Sequence, residues 1–260
     1  MKIPYFVVDA FTERPFGGNP AGVCPLEAWL PDSTLQSIAF ENNLSETAFF
    51  VADRDRFHLR WFTPTAEVDL CGHATLASAH VLFERLGHKK PSVQFETKSG
   101  ALTVSRERDG YLGMDFPSLP PKPVEPPPGL RTALGTAPET VLAGMDYVAV
   151  YRDAQAVSRL APDMDGLRGL DRRGVIVTAP GLEADYVLRF FAPKVGVPED
   201  PATGSAQCLL APYWAGRLKK PALTVRQLSF RGGDMRCEVK GDRVLISGRS
   251  KVYSQGEICL

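Results

Sequence analysis

The sequence predicts an α+β fold of two pseudo-symmetric lobes, each a mostly antiparallel sheet wrapped around one central helix, with an active-site cleft between them. Three observations predict it. A segment at 57–64 returns at 186–193, with Leu59/Leu188, Arg60/Arg189, Phe62/Phe191 and Pro64/Pro193 matched and aromatic residues at 57/186 and 61/190. Strand-like runs outnumber helical ones in both halves. A proline-dense stretch at 117–129 separates the copies, and it can continue neither a helix nor a central strand. An internal duplication fixes architecture before any motif does. A half with one central helix and mostly antiparallel strands is an α+β domain. The expected organisation is an N-terminal lobe over 1–116, a semi-rigid linker over 117–129 and a C-terminal lobe over 130–260, with room for the last strand to return to the first lobe.

The individual elements follow from patterning. Residues 5–9 and 47–51 in the first half, and 147–151 and 174–178 in the second, read as buried strands and overlay in that order. Residues 100–104 with Asp109-Gly110, and 233–237 with Gly241-Asp242, read as hairpins. A helix is expected at about 33–42, with Ser33 and Gln36 placed for a capping box, and another at about 73–85, ended by Gly87. The counterpart of the second helix is expected at about 205–214, interrupted or kinked by Pro212.

Composition narrows the function. The 260 residues, 44% hydrophobic and 9% aromatic, describe a soluble globular chain with ample core. Thirty basic residues balance thirty acidic ones, so no polybasic footprint exists for nucleic acid or an anionic membrane surface. The residues after Met1 enter a strand-like run with no signal-peptide pattern, and no apolar stretch approaches membrane-spanning length, so a cytoplasmic location is expected. Five cysteines, Cys24, Cys71, Cys208, Cys237 and Cys259, are odd in number and lack zinc spacing. Neither a disulfide framework nor a metal is expected.

Chemistry concentrates where each octet leads into a helix. Gly72-His73-Ala74 and Gly204-Ser205-Ala206 sit at equivalent helix starts, where free N–H groups and the positive dipole end attract anions. Two such starts facing one cleft suit a carboxylate-bearing small molecule; the plainer reading is that a glycine and a small residue merely begin a packed helix. Glu46 stands where a turn enters an apolar strand, so partial burial would raise its pKa and make it a usable proton carrier. The alternative is a solvated turn glutamate. The dipole at His73 would lower its pKa and favour the neutral imidazole, able to hydrogen-bond a substrate or Glu46. Asp200 would receive a substrate amine or hydroxyl, polarise His73, or simply cap its own turn. Cys71 lies where a thiolate would be stabilised, but a two-base racemase needs a second thiol and the equivalent slot holds Thr203. The turn at 16–20 lacks the Gly-Lys-Ser/Thr of a phosphate loop, and Asn19 within it reads as structural.

Taken together, residues 8–12 with 16–23, the run Asn43-Leu44-Ser45-Glu46-Thr47-Ala48-Phe49, Phe62-Thr63-Pro64 with 70–75, and residues 199–206 resemble the PhzF-like family of phenazine-biosynthesis isomerases and their relatives, within the diaminopimelate epimerase-like fold. The resemblance covers essentially the whole chain. It implies barrel-like sheets around each central helix, a homodimer, no cofactor, and Glu46 as the catalytic acid/base. It also implies that His73, Asp200, Gly204 and Ser205 line the substrate site, with backbone at Gly72 and Gly204 holding a carboxylate. Ala74 stands where many relatives carry proline, and Cys71 stands where the epimerase relatives keep a catalytic thiol. The expected function is a cofactor-independent isomerase that moves a proton within a small carboxylate-bearing substrate. The alternatives are a Cys71-dependent racemase or epimerase and a noncatalytic small-molecule-binding homologue.

Overall fold

The repeated octet becomes the same strand twice in the computed structural model, which describes all 260 residues. The chain divides into two units, Met1–Asp115 with Ser247–Leu260, and Phe116–Ile246. The first contains β1 (Lys2–Ala10), β2 (Asn19–Leu26), α1 (Asp32–Asn42), β3 (Glu46–Asp53), β4 (Arg56–Phe62), β5 (Glu67–Val68), α2 (Gly72–Glu84), β6 (Ser92–Thr97), β7 (Gly100–Arg106) and most of β8 (Leu112–Pro117). The second contains β9 (Lys122–Pro123), α3 (Leu130–Leu134), β10 (Thr140–Ala143), β11 (Tyr147–Val150), α4 (Ala154–Ser158), α5 (Met164–Arg168), β12 (Val175–Pro180), β13 (Tyr186–Ala192), β14 (Val197–Asp200), α6 (Gln207–Leu218), β15 (Ala222–Gln227), β16 (Gly233–Lys240) and the start of β17 (Arg243–Gly248). The last strand, β18 (Ser250–Cys259), lies in the first unit and pairs antiparallel with β1. No helix is long and apolar enough to cross a membrane.

Strand pairing repeats between the units. In the first, β1–β2 and β3–β4 are antiparallel while β2–β3 and β4–β6 are parallel. In the second, β10–β11 and β12–β13 are antiparallel while β11–β12 and β13–β15 are parallel. The register shifts the overlay of 47–51 on 174–178 by one residue, Thr47 matching Val175, and the order corrects the other expected overlay. Residues 147–150 form β11, the counterpart of β2, and β1 corresponds to β10. Short apolar strands share a composition, so pairing and not pattern decides which ones are equivalent.

The repeated arginine explains why the octet recurs. Arg60 forks onto Glu67 at 2.7 and 2.9 Å, and Arg189 forks onto Glu199 at 2.7 and 2.9 Å. Their guanidiniums lie over Phe62 and Phe191, 5.1 and 4.8 Å from the ring centres. The arginine forks draw the carboxylate of Glu67 down to about 2, chiefly through its hydrogen bonds with Arg60. A bidentate charge pair backed by an aromatic face is a strong local constraint, and it sets the return from β4 or β13 into the segment before each central helix.

The central helices are apolar because they are enclosed. Nearly every residue of α2 is buried, and it packs against β1, β2, β3, β7 and β18. Gly87, at φ +70°, ends it by letting Leu86 and His88 donate back to the carbonyls of Val81 and Leu82. The other helix, α6, runs on through Pro212 to Leu218 instead of breaking there. Proline removes the donor that the Cys208 carbonyl would otherwise meet, and the Leu119 N–H takes that carbonyl at 2.8 Å. The proline-dense segment is thus hydrogen-bonded along the second unit, with Val124 also donating to Val141 and β9 pairing with β10. At α1 no capping box forms. Pro31 is the N-cap, and Gln36 donates to the Thr63 carbonyl at 2.9 Å, tying α1 to the end of β4.

Candidate active site

Glu46 is the first residue of β3, paired with Ala21 of β2. It gets there because α1 closes on Asn43, whose left-handed backbone (φ 47°) reverses the chain and lets its N–H reach the Ala39 carbonyl. His73 is the second residue of α2, and Cys71 is its N-cap, with extended backbone and no side-chain cap. The register of β3 and the start of α2 bring these three side chains together. Glu46 Oε2 lies 3.1 Å from His73 Nε2, with the two side chains 17% and 8% exposed. The contact is off the line of a well-formed hydrogen bond, and this buried oxygen has no other partner. Cys71 Sγ stands 3.5 Å from the other ring nitrogen, Nδ1.

The charge state differs from the one the sequence suggested. Burial pushes the Glu46 carboxyl up, but the imidazole beside it, with the Cys71 thiol, outweighs burial and leaves it below its ordinary value. Burial pushes His73 down, but its close contacts with the Cys71 sulfur and the Glu46 carboxylate outweigh burial and hold it well above its ordinary value. The expectation of a raised Glu46 and a neutral His73 is therefore reversed. A carboxylate and an imidazolium stabilise one another at closer range than a helix dipole acts. Burial also pushes the Cys71 thiol up to about 11, with the Glu46 charge adding to the effect. The helix start does not make it a thiolate.

Glu46, Cys71 and His73 offer ligand atoms that all lie within 4.8 Å of one another. A metal would need a thiolate and a neutral imidazole. Burial keeps the Cys71 thiol protonated, and its neighbours favour the protonated form of His73.

The remaining expected residues lie in the second unit. Asp200 ends β14, and its carboxylate accepts a hydrogen bond from the Thr203 hydroxyl, so it does organise its own turn. Two buried glutamines brace this turn. Gln227 accepts from the Thr203 N–H at 2.8 Å and donates to the Asp200 carbonyl at 2.6 Å. Gln207 donates to the Thr203 carbonyl and accepts from the Tyr186 hydroxyl at 2.6 Å. Gly204 and Ser205 form the tight turn that opens α6, their carbonyls accepting from the N–H groups of Gln207 and Cys208. The helix proper starts two residues later than expected.

No motif points to Arg173. Its Nε and Nη2 grip Asp146 at 3.0 and 2.7 Å, and Nη2 reaches Ser205 Oγ at 3.3 Å. Asp146 and Arg173 are far apart in sequence and belong to no motif. A lone acid in Gly144-Met145-Asp146 and two adjacent arginines read as loop charges until the fold buries the acid.

Comparison with known proteins agrees with this architecture. The family model for phenazine biosynthesis-like proteins matches residues 8–256. An isomerase of Pseudomonas aeruginosa, named as uncharacterised, is 53% identical over 260 residues and both chains are covered completely. A similarly named isomerase of Halalkalibacterium halodurans is 44% identical over 266 residues, again with complete coverage of both. The crystal structure of a PhzF-family protein of Enterococcus faecalis, 46% identical, superposes over 100% of each chain with a TM-score of 0.98. The fold and these full-length likenesses define an α+β enzyme of the isomerase class. The chain belongs to the phenazine biosynthesis-like, or PhzC-PhzF, family.

Proposed function

We propose that this isomerase works without a cofactor, with Glu46 moving a proton within a small carboxylate-bearing substrate. The observation that carries the reading is the buried Glu46 oxygen, 3.1 Å from His73 Nε2 and without a well-formed hydrogen bond. A buried carboxylate oxygen with no aligned donor keeps a lone pair available for a proton. In this mechanism the carboxylate removes a proton from an activated carbon of the substrate. The new O–H bond forms as the C–H bond breaks, and the electron pair stays on the substrate as an enolate-like or dienol-like system. Glu46 then returns the proton to a different carbon. The His73 imidazolium holds the carboxylate in place and balances the negative charge. Free N–H groups at the Gly72 helix start stabilise the charge that develops, where fixed donors contribute most. Asp200, Gly204 and Ser205 are the polar groups that the second unit offers to a small carboxylate.

The test is proton NMR in deuterium oxide over a panel of small unsaturated and amino-acid-like carboxylates. The wild-type protein incorporates solvent deuterium into at least one of them. Glu46→Gln lowers that rate by about 10²- to 10⁴-fold, the usual contribution of a positioned acid/base, and leaves affinity nearly unchanged. Exchange at the wild-type rate in Glu46→Gln removes this residue from the mechanism.

A further inference from the structure

The strand registers show what the second unit carries at the place where the first carries Glu46. Thr47 pairs with Phe62, and Val175 pairs with Phe191, the matched phenylalanines of the repeat. The position equivalent to Glu46 is therefore Gly174. No side chain fits there, because a Cβ would come within 2.7 Å of both the Phe190 ring and the Phe191 carbonyl oxygen. The charged group comes one residue earlier, as Arg173, and its sign is opposite. Just as Glu46 meets His73 near the start of α2, Arg173 meets Ser205 at the turn that opens α6.

We propose that Arg173 is an anion receptor that, together with Ser205, binds a small carboxylate, and that Asp146 is the positioning residue that fixes its direction. The proposal rests on the reading above that the substrate is a small carboxylate. Asp146 is fully enclosed, at 0% exposure, and both its oxygens are engaged by one guanidinium, whose side chain remains 35% exposed. An arginine present only to neutralise a buried acid would bury with it. Here Nε and Nη2 face the acid, Nη2 also reaches the serine, and Nη1 makes no hydrogen bond. The guanidinium carbon lies over the Phe190 ring, 5.2 Å from its centre. That packing strips water from one side, and the Asp146 fork removes rotational freedom. What remains open is a planar cation with spare donors beside a hydroxyl, which matches the geometry of a carboxylate.

Benzoate and its neutral isostere benzamide serve as probes, with binding to the full chain followed by ligand-observed NMR. The wild-type protein prefers benzoate by tenfold or more. Arg173→Lys keeps the charge and loses the fork, and it lowers benzoate affinity several-fold. Asp146→Asn leaves the guanidinium charged but unpinned, and it also lowers benzoate affinity several-fold without moving benzamide, a selective change that general loosening of the fold would not produce. The paired variant Asp146→Asn/Arg173→Gln removes both charges together, so it folds where a single removal strands a buried ion, and it abolishes the preference. Absence of a benzoate preference in the wild type overturns the proposal, as does a preference that survives in the folded paired variant. Glu46→Gln keeps the preference even if deuterium exchange is lost, so failure of the proton-transfer reading and failure of this one give different results.

Discussion

The two units share a strand order and a bracing arginine, yet the entry to β3 carries a carboxylate beside an imidazole while the entry to β12 carries a guanidinium beside a hydroxyl. The duplicated parts are those that hold shape. Arg60–Glu67 and Arg189–Glu199 match to a tenth of an ångström. The parts that differ sit at the ends of strands and the first turns of helices, where backbone donors are free and side chains are spared from packing. A duplicated scaffold can therefore keep its frame and assign different charges to equivalent corners.

Removing one partner from each charged pair tests this contrast most strongly. Arg173→Met strands a fully enclosed carboxylate in the second unit, and we expect it to lower stability by about 3–5 kcal/mol in urea unfolding. His73→Gln leaves a carboxyl that can answer by binding a proton, so its cost is expected to be smaller, about 1–2 kcal/mol. Equal losses would show that the two pairs do the same structural job.

The pairs also differ in how pH reaches them. His73 is raised well above 6.5, so the stability it adds is complete below 6.5 and fades as pH rises through its folded value. Glu46 lies below 4.5, so its contribution is complete above 4.5 and fades as pH falls through its folded value. The stability difference between wild type and His73→Gln is then widest between 4.5 and 6.5 and narrows on either side. The guanidinium of the second pair stays protonated throughout the neutral range and adds no such titration. Urea unfolding at a series of pH values checks the shape expected for His73→Gln.

Much of the frame was legible because the octet is long and its residues are unusual together. Phe62 and Pro64 flag the strand and its end, and the matched glycines at 72 and 204 flag the helix starts. His73 was expected within reach of Glu46, and the fold adds Cys71 to the same cluster. Their charge states were misread because the sequence shows a helix start but not the distance between two side chains. Arg173 and Asp146 were invisible for a related reason: nothing in a loop acid reveals that it will be fully enclosed. Pro212 misled in the opposite direction, since only the fold supplies Leu119 to satisfy the carbonyl it frees.

The matched arginines offer a finer comparison. Arg60 adds a bond to the exposed Asp32, whereas Arg189 adds bonds to the carbonyls of Val157, Ser158 and Leu160, the nearest at 2.7 Å. Those carbonyls lie at the end of α4 and in the turn after it, where the Val157 carbonyl also takes the Leu160 N–H at 3.4 Å and Arg189 adds further donors. Replacement by methionine is expected to cost about 2 kcal/mol at Arg189 and about 1 kcal/mol at Arg60. Denaturant midpoints of the two variants measure this directly.

Cys71 gives the smallest expected effect and bears most closely on the rival chemistry. A racemase that relied on it would need the thiolate, and a thiol pushed up to about 11 is protonated at neutral pH. The slot equivalent to it in the repeat holds Thr203, whose hydroxyl is already committed to Asp200. Cys71→Ala should therefore leave deuterium exchange within about tenfold of wild type, while Glu46→Gln removes it. The alanine variant should also shift the alkaline limb of the pH–rate profile downward, because the contact of the Cys71 sulfur with His73 helps hold the imidazole above its ordinary value. A loss of exchange in Cys71→Ala as deep as that in Glu46→Gln would transfer the proton-carrying role from the carboxylate to the sulfur.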